Sequence, residues 1–412
     1  MTSNQPERLH ALDAVRGGAL LLGVAFHATM SFLPGQQVWV VMDAERSAVM
    51  SVLFFWLHMF RMAAFFLIAG FFGRMLLERR GLKGFLADRS RRIVLPLVVF
   101  WPVLFTAIVA VMIWAAVKAN GGAAPSGPAS GFPSLPNFPL THLWFLYVLL
   151  IFYAAALLIR GGLRLLDPGE AVAGVVDRMM RWMVELWLPV MFAAPLAFAF
   201  WSDPAWLAWF GIMTPDSSLI PNVPALVGYG TAFAAGWLLH RQASLLQVWT
   251  ERWPMLLGVG LGCVSTCLVM VGLEPVLTPT PLGLSKFAYA CLYAMGVFCW
   301  TFGLAGAAQQ FLSGHSPARR YVADASYWIY LIHVPVVMAL QTVVSDLAWP
   351  WPVKYALVLG AALAVGFGSY QLLVRGTVLG GWLNGRRHKR LAHKQLAKGR
   401  GLVHAEATGD VP

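Results

Sequence analysis

The sequence predicts an all-α integral membrane protein of about ten transmembrane helices with both termini cytoplasmic, and three observations predict it. Of the 412 residues, 59% are hydrophobic and only 12% charged, with a mean hydropathy of +0.67. Soluble domains carry about a quarter charged residues, so this composition does not suit a water-facing fold. Apolar runs of roughly 18 to 25 residues alternate with short basic stretches, the length a helix needs to cross the hydrocarbon of a bilayer. Twenty-five of the thirty Lys and Arg fall on alternate connections, and only Arg46, Lys118, Lys286 and Lys354 fall on the others. That asymmetry puts the basic connections and both termini on the cytoplasmic side.

The apolar segments run over 14–33, 51–76, 93–117, 141–159, 183–201, 223–239, 255–273, 287–311, 325–343 and 353–374. In lipid each must satisfy its own backbone, which leaves helices as the spanning form. The first follows a short leader containing Glu7 and Asp13 and carries a histidine, so it reads as a retained helix and not a cleaved signal. The polar run 78–92 after the second reads as a short amphipathic helix on the cytoplasmic face. Loop 118–140, with Asn120, Gly121, Pro125, Gly127, Pro128, Pro133 and Pro136, is expected to be irregular. Pro189 and Pro195 make the fifth segment the least regular. Loop 202–224 carries Trp206, Trp209 and Asp216, which either shape an external mouth or lie in the membrane interface. The domains are then a transmembrane unit over 8–375 and a basic cytoplasmic tail over 376–412, polar from Gly385 and near anionic lipid.

The formal net charge of +12 punctuates the apolar runs and crowds the tail, which fits topology and anionic headgroups and not nucleic acid. Cys263, Cys267, Cys291 and Cys299 sit inside apolar runs with no metal-ligand spacing around them, and read as small packing residues. No metal site is expected.

Ionisable groups inside apolar helices cost several kcal/mol unless paired or hydrated, so each one is a candidate. The set is Asp13, Arg16 and His27 on the first segment, His58 and Arg61 on the second, His142 opening the fourth and His333 in the ninth. Arg16 and His27 lie eleven residues apart, on one helix face to within about 20° and separated by a rise of about 16 Å. Asp13 points the same way. That span is close to the length of a pantetheine arm, so an arginine there could hold a coenzyme A phosphate while the histidine meets the thioester. A snorkelling arginine above a packed histidine gives the same spacing. His58 and Arg61, at i and i+3, share a face well inside an apolar run, where the guanidinium must meet an anion, carbonyls or a wet cavity. Arg89 and Arg92 share one side of the 78–92 segment and suit multidentate phosphate binding, or serve topology alone.

Taken in order, these pieces resemble the acyltransferase-3 family of membrane O-acyltransferases. Leu12-Asp13-Ala14-Val15-Arg16-Gly17 through Phe26-His27-Ala28 is similar to its opening motif, and Phe65-Phe66-Leu67-Ile68-Ala69-Gly70-Phe71-Phe72 to its second-helix signature, where serine more often stands at the Ala69 position. Arg89-Ser90-Arg91-Arg92 before Pro96, His142-Leu143-Trp144-Phe145-Leu146, and Ser326-Tyr327-Trp328 through His333 complete the resemblance, which covers about residues 8–375. The stretch from His58 to Arg61 and the ending His333-Val334-Pro335 resemble the glucans biosynthesis protein C branch, associated with succinylation of periplasmic glucans.

The resemblance implies His27 as the catalytic histidine, Arg16 as its partner in the motif, and Arg89 and Arg92 as acyl-donor contacts. On physical grounds Asp13 joins His27 as a candidate catalytic group, and His58, Arg61, His142 and His333 are candidate site-lining residues. His333 could equally be structural. The expected activity is O-acyl transfer, acetyl or succinyl, from acyl-coenzyme A as donor substrate to a hydroxyl of an extracytoplasmic carbohydrate or glucan. It would occur in the cell inner membrane, with no permanently bound cofactor and no nucleic-acid partner. The alternative is a transporter or flippase for an anionic solute with Arg61 and the histidines along its path, a reading weakened by the lack of visible inverted repeats or paired broken helices. A membrane scaffold is the third reading.

Overall fold

Helices are the regular structure throughout the computed structural model, which describes residues 5–123, 137–167, 169–186 and 189–384, with side chains from residue 10. In chain order they are α1 (Gln5–Thr29), α2 (Ala48–Arg89), α3 (Leu95–Ala119), α4 (Trp144–Leu166), α5 (Ala171–Glu185), α6 (Val190–Ser202), α7 (Val223–Leu239), α8 (Leu246–Val271), α9 (Leu284–Phe311), α10 (Pro317–Val344), α11 (Trp351–Ser369) and α12 (Val378–Asn384). Among the described residues there is no strand. Seven continuous helical stretches are long and apolar enough to cross a membrane, or eight with the bent α5–α6 pair. The ten expected segments all fall on them, because two stretches hold two segments each. Ala48–Ala119 runs for 72 residues and Val223–Val271 for 49, each at least twice the ~20 residues one crossing needs. The protein is a multi-pass membrane protein.

The long stretches turn where the backbone departs from helix. In α2 the break is Gly81, at φ 65°, a conformation open to glycine and strained for other residues. The segment after it therefore leaves the axis of α2, and a π turn at Ser90–Val94 leads into α3. Between α7 and α8 the chain turns through a 3-10 segment, His240–Leu245, with Gln242 out of helical geometry.

α2 is the centre of the bundle. From Phe54 to Phe71 its side chains are buried on nearly every face, as expected of a helix surrounded by others. Its closest neighbour is α7, where Gly70 and Gly236 let two backbones touch. A methyl group at Gly70 would run into the carbonyl oxygen of Phe233, and one at Gly236 into that of Leu67. α8 and α9 meet in the same way, since a methyl at Gly306 would strike the Trp249 carbonyl. Cys263, Cys267 and Cys299 are buried on these two helices as free thiols.

One end of the bundle is basic and gathers Arg16, Arg89, Arg92 and Arg319. The opposite end is held by ion pairs that the sequence did not reveal. Lys354 and Asp43, each 1% exposed, pair at 2.8 Å and tie the 33–47 connection to α11. Lys118 pairs with Asp346 at 2.9 Å.

One expectation is corrected here. The fifth segment does not start at 183. α5 ends at Glu185 and α6 at Val190 leaves it at 92°, so only thirteen residues continue along the span. Trp206 and Trp209 of loop 202–224 are core side chains. Both are 1% exposed, Trp206 stacked on Phe200 at 4.2 Å and Trp209 on Phe54 at 5.3 Å. The expected short helix within 78–92 is present as the part of α2 beyond the Gly81 kink, where Leu82 and Leu86 are exposed and Phe85 is buried. Residues 124–136 of the loop expected to be irregular, and 385–412 of the basic tail, lie outside the described residues.

Removing one partner of a buried ion pair leaves the other charge unpaired, at a cost of about 3–5 kcal/mol. Lys354→Met is therefore expected to lower the unfolding temperature in detergent markedly, and Asp43→Asn added to it to recover part of the loss. Equal unfolding temperatures for wild type and Lys354→Met would show that the pair carries no such weight.

Candidate active site

Two groups of polar side chains lie along α1. The first, at the basic end, lines a cavity of about 540 Å³. Seven arginines reach it (Arg16, Arg79, Arg80, Arg89, Arg92, Arg319 and Arg320) against three aspartates (Asp13, Asp88 and Asp324). α1 supplies Asp13 and Arg16, which pair at 3.1 Å. The segment beyond Gly81 supplies Asp88, Arg89 and Arg92, and α10 supplies Arg319 and Arg320. Asp88 is nearly buried and sits among Arg80 at 3.5 Å, Arg92 at 3.4 Å and Arg89 at 3.9 Å. Arg89 lies over the Tyr153 ring at 4.9 Å and has a buried Nε with no hydrogen-bond partner. Tyr327 donates to the backbone carbonyl of Arg92 at 2.6 Å, fixing the turn that presents it. An excess of guanidinium over carboxylate in a concave site is a binding site for a polyanion such as a phosphate group.

The second group lies deeper and brings together His27 from α1, His58 and Arg61 from α2, His142 from the 3-10 turn before α4, and His333 from α10. His333 is 5.1 Å from His27 and 5.4 Å from His142, ring centre to ring centre. Arg61 is 7% exposed and stands over the Phe26 ring at 4.3 Å. Its Nε and Nη1 are buried without a hydrogen-bond partner, and among the described residues it forms no ion pair with a carboxylate. Room for it comes from Gly23, where a Cβ would lie 3.2 Å from Arg61 Nη1 and 3.6 Å from His333 Nε2. Guanidinium and imidazole thus converge on one bare strip of α1.

Backbone carbonyls set the tautomers of three of these imidazoles, because a carbonyl can only accept. His333 donates from Nδ1 to Tyr330 O at 2.6 Å, so its Nε2, which has no partner, carries a lone pair in the neutral ring. His142 donates from Nε2 to Leu331 O at 2.8 Å and leaves Nδ1 as its lone pair, also without a partner. His58 donates from Nε2 to Ile212 O at 3.0 Å. The turn carrying His142 is itself constrained. Thr141 has φ 52°, its N–H donates to Asp216 O, and the Tyr330 hydroxyl donates to the His142 carbonyl at 2.7 Å. Strained backbone of this kind persists where surrounding contacts impose it. Burial raises the pKa of the Asp216 carboxyl in the adjoining loop. Phe54 and Phe26 stack on His58 at 5.6 and 5.5 Å, which seals that flank with aromatic surface.

Arg16, Arg89 and Arg92 thus share one cavity, and His27, His58, Arg61, His142 and His333 share the other site. Asp13 does not reach His27. Fourteen residues of helix, about 21 Å of rise, separate them, and its partner is Arg16. Asp13 is a member of the basic cavity and not a catalytic neighbour of the imidazole. Sequence reasoning missed Arg319, Arg320 and Asp88 in the cavity, although the charged pair opening α10 was a usable signal. It also missed Trp39 and Gln341. Trp39 Nε1 donates to Gln341 Oε1 at 2.8 Å and Gln341 Nε2 to His27 O at 3.0 Å, which anchors the backbone of His27 across more than three hundred residues of sequence. Among the described residues no group of His, Cys, Asp and Glu is arranged to hold a metal ion.

A family model described as acyltransferase domain, of the acyltransferase-3 type, matches residues 9–371. Glucans biosynthesis protein C of Escherichia coli strain SMS-3-5 is 32% identical over 154 residues, 35% of this chain and 37% of the relative. The protein of the same name from Escherichia coli K12 matches to the same extent. The aligned part spans little more than a third of the length of these relatives. No solved structure matches. Between an enzyme and a transporter, the family match favours the enzyme.

Because Gly23 faces both Arg61 and His333, a β-branched side chain there must displace one of them. Gly23→Val is expected to retain folding, read as detergent gel filtration, while acyl transfer falls by at least about tenfold, the consequence of misplacing reacting groups. Unchanged transfer would show that this convergence is not part of the site.

Proposed function

The chain belongs to the acyltransferase-3 family, and from that premise we propose that it transfers an acetyl or succinyl group from acyl-coenzyme A to a hydroxyl of an extracytoplasmic carbohydrate, a glucan in particular. The observation that carries this reading is the pair of sites on one face of α1: an arginine-lined cavity at Arg16 and, about 16 Å along the helix, an imidazole–guanidinium cluster at His27. Coenzyme A is a phosphate-rich body joined by a flexible arm to a thioester, and the two sites suit its two ends. The name of the relatives supports a glucan acceptor, and the branch resemblance supports succinyl.

With the basic end oriented to the cytoplasm, as the charge asymmetry requires, Arg16, Arg89 and Arg92 hold the donor phosphates. The thioester carbon reaches His27 in the inner-membrane interior. An acceptor hydroxyl entering from the opposite side gives its proton to His27 as its oxygen attacks the thioester carbon. The C–S bond then breaks, and the leaving thiolate takes the proton from the imidazolium, so the histidine ends as it began. An acyl-histidine intermediate would use the same residues in two steps. Arg61 supplies the positive charge that the developing oxyanion, or the free carboxylate of a succinyl group, requires in a buried site. His333 and His142, locked with lone pairs toward the cluster, accept from the hydroxyls of the acceptor.

His27→Ala is expected to reduce transfer from labelled acyl-coenzyme A by about 10²- to 10⁴-fold, the usual contribution of a general base. Undiminished turnover removes His27 from the mechanism. Arg61→Met is expected to lower the rate with succinyl-coenzyme A about 10- to 100-fold more than with acetyl-coenzyme A, since a hydrogen bond to a charged group contributes about 1.5–3 kcal/mol. Equal losses with both donors would assign Arg61 to the oxyanion alone.

A further inference from the structure

A second cavity, of about 500 Å³, lies on the outside of the bundle between α4, α5 and α7, apart from both sites above. Its wall is apolar and widened by small residues. Phe152 and Ala156 come from α4, and Gly230, Phe233, Ala234 and Trp237 from α7. A Cβ at Gly230 would already lie 3.4 Å from the Phe152 ring, so the missing side chain is part of the hollow. Ile159 on its edge is largely exposed, which opens the groove sideways to the bilayer.

The rim is basic, with Arg74, Arg160, Arg164 and Arg241, and the carboxylates beside it are mostly engaged. Asp177 takes Arg241 through both oxygens at 2.8 to 3.1 Å. Asp167 caps the start of α5 by accepting from the amides of Ala171 and Val172. Glu78 is held by Arg74 and by His240 at 3.2 Å. Arg160 reaches Glu78 only at 4.0 Å, and its Nη1 is buried without a hydrogen-bond partner. Among the described residues Arg164 forms no ion pair. Glu170, at the mouth, is the remaining acid.

The position of the rim relative to the membrane follows from α5. It leaves α6 at 92° and exposes Val172, Val175, Met179 and Trp182, one stripe at helical spacing. A helix with that stripe lies in the interface with its apolar side in the lipid. Arg160 and Arg164, beside it, are then at headgroup depth, and the apolar wall extends from them toward the acyl chains.

We infer that this groove binds an anionic phospholipid, with the phosphate on Arg160 and Arg164 and a chain along Phe152, Ala156, Phe233 and Trp237. The lateral opening and the charge pattern fit a lipid, since a free phosphate would leave the apolar wall uncovered. The inference does not rest on the acyl-transfer reading.

The test uses full-length protein purified in neutral detergent. Native mass spectrometry and thermal unfolding are read with phosphatidylglycerol, phosphatidylcholine or glycerol 3-phosphate added. Wild type is expected to retain one phosphatidylglycerol through collisional activation, with a raised unfolding temperature, and to bind phosphatidylcholine at least tenfold more weakly. Arg160→Ala with Arg164→Ala is expected to lose that preference. Ala156→Trp, which fills the wall and keeps every charge, is expected to lose the adduct and decides the matter if the double arginine variant does not fold. Lys83→Ala, remote from the groove, is expected to bind as wild type. Equal retention of both lipids, equal protection by glycerol 3-phosphate, or wild-type binding by Ala156→Trp overturns the inference.

Discussion

The organisation of this protein depends on a guanidinium inside an apolar helix, Arg61, with which no carboxylate pairs among the described residues. A buried cation of this kind costs several kcal/mol unless its surroundings are built for it, and much of the bundle's interior can be read as that construction. Phe26 offers a ring face to Arg61, a favourable but partial substitute for solvation. Gly23 withdraws its side chain so that the guanidinium can approach α1. His58, one turn before Arg61 on the same face, packs against the Phe26 and Phe54 rings and is turned by a backbone carbonyl. What the surroundings do not supply is a set of acceptors for Nε and Nη1. Buried donors of this strength are costly to leave without an acceptor, which is why Arg61 stands out in the bundle.

α1 links that centre to the basic end, and its straightness is what makes the distance meaningful. It runs from Gln5 to Thr29 as α-helix, so the spacing between Arg16 and His27 is fixed by rise per residue and not by loop conformation. The far end of the ruler is anchored by the Gln341 side chain on the His27 carbonyl. The near end is enclosed by the segment that Gly81 redirects. A rigid element with a site at each end positions a ligand more reproducibly than two loops would.

How much of this could be read in the sequence follows from the range of the interactions involved. α7 was legible to the residue as 223–239 from its apolar run, and the fold shows why the run starts there: Asn222 caps the helix and Pro224 stands in its first turn. The shared face of Arg16 and His27 was legible because helical periodicity is local. The grouping of Arg61, His142 and His333 was partly legible, as ionisable residues that apolar helices should not contain. Their tautomers were not legible, since each depends on a carbonyl that only the fold brings near. Asp43 with Lys354, three hundred and eleven positions apart, lies beyond any periodicity argument. Asp13 failed for another reason: sharing a helix face with His27 says nothing about depth, and about 21 Å of rise placed it in the other site. The start of the fifth segment was not legible, because apolar composition does not show where one helix ends and the next leaves it at 92°.

The basic cavity also shows how a cluster of like charges is kept stable. Seven arginines around one hollow repel one another, and a site built only of cations would open or recruit solvent ions. Asp88 prevents this by sitting nearly buried among Arg80, Arg89 and Arg92, at distances between 3.4 and 3.9 Å. None of these is a tight bidentate pair, so one carboxylate moderates the repulsion among three arginines at once. A phosphate group, with more charge and more acceptor oxygens than a carboxylate, suits such a cluster better than a second aspartate would. The same logic separates this cavity from the deep cluster. Near the membrane surface an aspartate can temper the arginines because water screens what remains, whereas around Arg61 screening is weak and, among the described residues, no carboxylate pairs with it.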